Sequence, residues 1–169
     1  MTGQVIGLDL SLGSTGLALP DGATRRIRPR PASLRGGPRL TAIWSQLRED
    51  LAGCSPQLIV IEDYAPGSIG ISGKLANAEL RGVVIQRLSL ALPEATFAFI
   101  KPNTLKRWAT GSGVAKKPAM MAAARGMGWA DTGCDDEADA FLLRALGLQY
   151  MTGQGPAHQL EICDSIAWP

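Results

Sequence analysis

Residues 5–19 read VIGLDLSLGSTGLAL, from Val5 to Leu19. Val5 to Leu10 is a short apolar run with Asp9 near its end. Ser11 to Thr15 is a turn rich in Gly and Ser, and Gly16 to Leu19 is apolar again, so the stretch reads as strand, turn, strand. A third strand is expected around Thr24 to Arg28, after the Asp21-Gly22 turn and before a connection carrying Pro29, Pro31 and Pro38. Three antiparallel strands therefore open the chain.

Downstream the period changes. Leu40, Ile43, Trp44, Leu47 and Leu51 recur at helical spacing, with Gly53 placed to stop the helix. Leu58 to Ile61 is a continuous apolar run ending in Glu62, as expected of a buried strand. Tyr64 to Gly73 is rich in Gly and Ser and reads as an exposed loop, leading to a helix from about Lys74 to Leu90. Thr96 to Ile100 is a further strand ended by Pro102. Asn103 to Ala109 reads as a short helix capped by Asn103 or Thr104, and Gly111-Ser112-Gly113 as a turn. Helices are also expected at Lys116 to Met127 and at Asp136 to Leu148. Strands first, then helices alternating with strands, predict an α/β fold with helices packed against a sheet.

The length of 169 residues with 46% hydrophobic content suits one domain with a sizeable core. It is expected to span 1–148, with 149–169 as a C-terminal tail. No window approaches a membrane span, and the N-terminus lacks the order of a secretory signal, so a cytoplasmic protein without membrane contact is expected. Cys54, Cys134 and Cys163 are odd in number and widely spaced, which argues against a disulfide framework or a zinc site. The net charge of +2 conceals an uneven distribution. Residues 23–47 contain no acid but carry Arg25, Arg26, Arg28, Arg30, Arg35 and Arg39. Residues 95–130 are also free of acids and carry Lys101, Lys106, Arg107, Lys116, Lys117 and Arg125. Acids then crowd together at Asp131, Asp135, Asp136, Glu137 and Asp139. Basic segments flanking an acidic knot suit a protein that grips a phosphate backbone and holds cations where it cuts.

Asp9, Glu62 and the Asp136/Asp139 pair put acids where the hydrophobic pattern does not ask for them. Taken singly, each has an ordinary reading: Asp9 as an Asx-turn residue, Glu62-Asp63 as a solvated strand end, and the 135–139 run as charge favoured at a helix N-terminus. Together they suggest more, because a partly buried carboxylate is costly unless cations or strong donors compensate. Asp136 and Asp139, three apart on a helix, share a face; Asp135, four from Asp139, can do the same. Oxygen ligands without His or Cys favour magnesium or manganese over zinc or copper. Two such ions serve phosphodiester hydrolysis, one activating water and the other stabilising the leaving oxygen.

In order, GLDLSLGSTG, IVIEDY, KPNTLKRWATGSGVAKK and DDEADAFLL resemble the RuvC family of Holliday junction resolvases, across roughly Ile6 to Leu148. The resemblance implies an RNase H-like fold, a mixed five-stranded sheet with helices on both faces. It implies Asp9, Glu62, Asp136 and Asp139 as catalytic metal ligands, and Lys106 and Lys117 as the basic residues near the scissile phosphate, Lys117 with a catalytic role. Gly111 and Gly113 would shape the intervening loop, and Lys116, Arg107 and Tyr64 would complete the DNA contacts. It further implies two Mg2+ or Mn2+ ions per site, four-way DNA junctions as substrate, and a homodimer, whose interface is expected on the Lys74–Leu90 helix through Leu75, Ala78, Val83, Ile85 and Leu88. The sequence departs from the family at Leu10-Ser11, where Pro-Gly is common, and at Tyr64, which is slightly displaced from the usual aromatic. His158, in the tail, reads as a surface residue. Competing readings are another RNase H-like nuclease acting on RNA or on other branched DNA, a non-catalytic nucleic-acid-binding module, and an actin-like phosphotransferase, for which the chain is short.

Overall fold

Alternating side-chain direction along the buried strands separates two apolar layers, one on either face of a single sheet. The structure, a computed structural model, describes residues 4–63 and 71–169, without the side chains at 71, 72 and 74. Five strands, β1 (Val5–Asp9), β2 (Thr15–Ala18), β3 (Thr24–Ile27), β4 (Leu58–Glu62) and β5 (Thr96–Ile100), lie in the order β3-β2-β1-β4-β5. The first three are antiparallel neighbours, whereas β4 runs parallel to both β1 and β5. This is the mixed five-stranded α/β sheet expected from the sequence.

The helices are α1 (Gly36–Asp50), α2 (Ile71–Ala91), α3 (Pro102–Thr110), α4 (Lys117–Gly126), α5 (Asp135–Thr152) and α6 (Ala157–Asp164). Ile6, Leu8, Ile59 and Ile61 point to one face and pack with Ile43 and Leu47 of α1 and Leu80, Val84 and Leu88 of α2. Val5, Leu58, Val60, Ala98 and Ile100 point to the other and pack with α3, α4, α5 and α6 through Leu105, Trp108, Met120, Leu142 and Cys163. The period of two along a strand therefore produces helices on both faces. No helix among the described residues is long and apolar enough to cross a membrane.

Several expectations are corrected. The cap of α3 is not Asn103 or Thr104: the helix starts at Pro102 with Lys101 as a backbone N-cap and no side-chain cap hydrogen bond, because Pro at the first position already removes one orphan donor. Leu88 does not face outward from α2 but is fully buried in its own chain. Of the residues expected at an interface, Leu75 is 62% exposed, while Ile85 packs partly on the core. The helix carrying the acid pair does not end at Leu148 but continues to Thr152, where Gly153 adopts a left-handed φ of 62°. Beyond it α6 packs on α3: the buried indole Nε1 of Trp108 donates to Gln149 Oε1 at 2.5 Å, Gln159 Nε2 donates to the Trp108 carbonyl at 3.3 Å, and Trp168 stacks on Tyr150 at 4.1 Å. His158 is exposed, and all three cysteines are free.

Candidate active site

The site begins with glycines. In β1 and β2, Gly7 pairs with Ala18 and Asp9 with Gly16. A Cβ on Gly7 would stand 2.0 Å from the carbonyl oxygen of Ala140, and one on Gly16 would stand 1.9 Å from that of Asp136. The first turns of α5 therefore rest on bare backbone of the sheet, closer than any side chain permits. On the helix side, Gly147 packs on Val60 and Val5, where a Cβ would be 2.7 and 2.8 Å from their methyl groups. That approach carries Asp136 and Asp139 to the end of β1, where Asp9 emerges beside Glu62 at the parallel end of β4.

Asp9 and Glu62 are hydrogen-bonded to each other through their carboxyl groups. Burial, then repulsion from Glu62, Asp139 and Asp136, holds Asp9 well above the ordinary carboxylate range. Burial also raises Glu62, with the Asp9 hydrogen bond and the charge of Lys106 opposing it. Asp139 is pushed up to about 7, by burial first and then by Glu62 and Asp135, against the pull of Lys106. Three half-buried carboxyls are thus gathered with too little positive charge among them to ionise at ordinary cost.

The remaining acids are held at the rim. Ser14 Oγ, in the β1–β2 turn, donates to Asp136 Oδ2, and Arg26 Nε of β3 donates to Ser14 Oγ at 2.7 Å while lying 3.4 Å from the same carboxylate oxygen. Lys117, at the start of α4, forms an ion pair with Asp135 that raises the lysine and lowers the aspartate. Asp135 is therefore engaged by Lys117, and it is Asp139 that is drawn in beside Glu62. Glu137 is buried away from the cluster and accepts from Thr24 Oγ1 at 2.6 Å, tying α5 to β3. Lys116 and Arg107 are exposed; Tyr64 lies outside the described residues. The sequence reading missed Ser14 and Arg26, although their signal was present as a hydroxyl in the turn after Asp9 and a basic strand without acids. It also missed Arg81 of α2, which pairs with Asp63 at 2.5 Å and lies 4.4 Å over the Phe99 ring, fixing the chain just beyond Glu62.

The donor set fits a hard divalent cation. Asp9, Glu62, Asp136 and Asp139 offer only carboxylate oxygen, and a cation among them would offset the charge that desolvation penalises at Asp9, Glu62 and Asp139. Among the described residues, the group whose ligand atoms all lie within 4.8 Å of one another is Cys134, Asp135 and Asp136; Asp9, Glu62 and Asp139 are not drawn together that tightly. The Cys134 group suits such an ion less well, because burial pushes the Cys134 thiol up and Asp135 is engaged by Lys117.

The raised carboxyls predict a linkage between pH and stability. Asp9, Glu62 and Asp139 bind protons more tightly in the folded chain than in the unfolded one, so without divalent ions stability falls as pH rises from about 4 to about 7. A cation that replaces the protons reverses the loss. In a thermal melt at pH 8, saturating Mg2+ should raise Tm by about 5–10 °C over EDTA, and at pH 5 by much less. Equal shifts at the two pH values would contradict the coupling.

No family sequence model and no curated protein sequence matches the chain. By structure it is similar to Thermus thermophilus RuvC, with a TM-score of 0.68 and 18% identity over 88% of this chain and 96% of that one. A second similar structure is T. thermophilus RuvC in complex with Holliday junction substrate, with a TM-score of 0.69 and 17% identity, covering 87% and 92% of the two chains. The fold is RuvC-like.

Proposed function

We propose that the protein is a metal-dependent endonuclease that cleaves branched DNA, four-way junctions above all, in recombination or DNA processing. The observation that carries this reading is the gathering of Asp9, Glu62 and Asp139, whose carboxyls are raised by desolvation first and, for Asp9 and Asp139, by the charge of neighbouring acids, with Asp136 beside them. Those four residues would hold Mg2+ or Mn2+, two ions per site. When bound, such ions supply an activated water and neutralise charge on the leaving oxygen. The RuvC-like fold, and the junction substrate recorded with one of its structural neighbours, support the choice of substrate class.

The chain's own groups do the rest. Lys106 opposes the raised pKa values of Glu62 and Asp139, so it lies close enough to offset charge that builds up on a phosphoryl group bound there. Lys117 is kept protonated by Asp135 and is 76% exposed, free to exchange that partner for a phosphate oxygen. Lys116 and Arg107 would contact the DNA backbone farther out, with Tyr64 as an additional contact. Removing charge at Lys106 or Lys117 should slow single-turnover cleavage by about 10–10³-fold at saturating protein, more than it weakens binding. Cleavage by Lys117→Ala at the wild-type rate would remove that residue from the chemistry.

Paired cuts across a two-fold junction require two copies of the site, so we propose a homodimer. Leu75 and Ala78 of α2 are its expected contacts, since Leu88 is committed to the core. The test is light scattering together with a panel of labelled four-way, three-way, flap and duplex substrates and a cruciform plasmid. A dimer that prefers the four-way junction and yields linear plasmid in one encounter is expected. A monomer that nicks every branch equally would instead mark a general branch nuclease.

A further inference from the structure

A groove of about 490 Å³ is lined by Leu12 and Gly13 of the β1–β2 turn, the turn that follows Asp9, and by Arg28, Pro29, Arg30, Pro31, Ala32 and Arg39. We infer that this groove is a second DNA-backbone site, in which Arg28, Arg30 and Arg39 hold phosphates of the strand leading away from the cut. The inference rests on the nuclease reading above and adds to it a surface outside the lysine-bearing helices.

Three features set the groove apart from a solvated basic loop. Its lining contains no acid, and among the described residues none of its three arginines is ion-paired. The Nε of Arg39 is buried without a hydrogen-bond partner, so the inner end of its half-buried side chain is seated in the wall. Arg28 and Arg30 are exposed on either side of the buried Pro29, with Pro31 following. The two prolines fix φ there, so little freedom is lost when the arginines engage a ligand. Guanidinium groups meet phosphate oxygens in pairs.

The position gives the groove its meaning. Gly13 adjoins Ser14, and Arg28 follows Arg26 by two along the chain; Ser14 and Arg26 both hold Asp136. Lys106 and Lys117, from α3 and α4, act on Glu62, Asp139 and Asp135. The acids are thus reached by cationic groups from two separate parts of the chain, the β1–β2 turn with β3 and the α3–α4 segment, as a cut site on a gripped strand would be.

The test uses the full chain, with a labelled four-way junction in EDTA at several salt concentrations, and single-turnover cleavage in Mg2+. Arg28→Ala/Arg30→Ala should weaken binding about tenfold and reduce the slope of log Kd against log salt by about two, one for each lost phosphate contact. Its cleavage rate at saturating protein should stay at the wild-type value. Arg28→Lys/Arg30→Lys, which keeps the charge, should recover the slope. Wild-type affinity and slope in the alanine pair would overturn the inference, as would a weakened affinity with unchanged slope that the lysine pair does not restore. Loss of binding to polyglutamate with junction binding intact would reassign the groove to an acidic protein and also overturn it. A wild type that binds DNA through the groove but never cleaves would sink the nuclease reading while leaving this site standing.

Discussion

Replacing Asp139 with Asn is expected to reduce cleavage by on the order of 10³-fold or more, about 4 kcal/mol of barrier, while leaving the protein better folded in EDTA. Both effects have one cause. The Asp139 carboxyl is pushed up to about 7 because it is buried against Glu62 and Asp135 with only Lys106 to offset the charge. An amide of the same shape removes that repulsion, so Tm at pH 8 without divalent ions should rise, and the response of Tm to Mg2+ should shrink. Binding to branched DNA should persist or tighten, since negative charge is lost and the lysines and arginines are untouched. Asp9→Asn and Glu62→Gln should behave alike, because the two carboxyls share a hydrogen bond. A merely structural acid would give the reverse pattern, with stability lost and activity retained.

The second large effect is expected at residues with no chemistry at all. Gly16→Ala would drive a methyl group to 1.9 Å from the Asp136 carbonyl oxygen, and Gly7→Ala one to 2.0 Å from that of Ala140 and 2.7 Å from the Arg144 amide nitrogen. These neighbours are backbone and cannot swing aside. Each substitution should cost about 3 kcal/mol or more, lowering Tm by about 10 °C. Cleavage should fall by about 10²-fold even where the protein remains folded, because α5 must lift and take Asp136 and Asp139 away from Asp9. Gly82→Ala is the control: nothing lies within 4 Å of its would-be Cβ, it sits inside α2, and it should stabilise by about 0.5–1 kcal/mol. Melts that leave Gly16→Ala at the wild-type Tm would refute the close approach of helix and sheet.

These two experiments divide along the line between what the sequence reveals and what it conceals. The strands were legible because Val5 to Asp9 and Leu58 to Glu62 are apolar runs that end on acids, and the acids stood out because a buried strand end does not ordinarily carry one. The acid pair of α5 was legible from a spacing of three on one helical face. Contacts distant in sequence were not. Whether Gly7 and Gly16 are turn residues or seats for a helix depends on what lies above them, and Ala140 and Asp136 are more than 100 residues away. The partners of the α5 acids were equally hidden, because helical spacing allows both pairings; Lys117 engages Asp135, while Ser14 and Arg26 hold Asp136. The α6 segment offered no clear apolar stripe. It is held by the polar chain Gln149–Trp108–Gln159, residues that composition would place at the surface.

The proposed function requires above all that Asp9, Glu62, Asp136 and Asp139 form a metal-dependent phosphodiester cutting centre. Its most direct measurement is strand scission of an end-labelled four-way junction, read on a sequencing gel for the wild type in Mg2+, the wild type in EDTA, and Asp139→Asn in Mg2+ at equal occupancy of the junction. Paired incisions at symmetry-related positions in the first reaction alone are the predicted result. Bound junction left uncut by the wild type with both Mg2+ and Mn2+, or incision by Asp139→Asn at the wild-type rate, would contradict it.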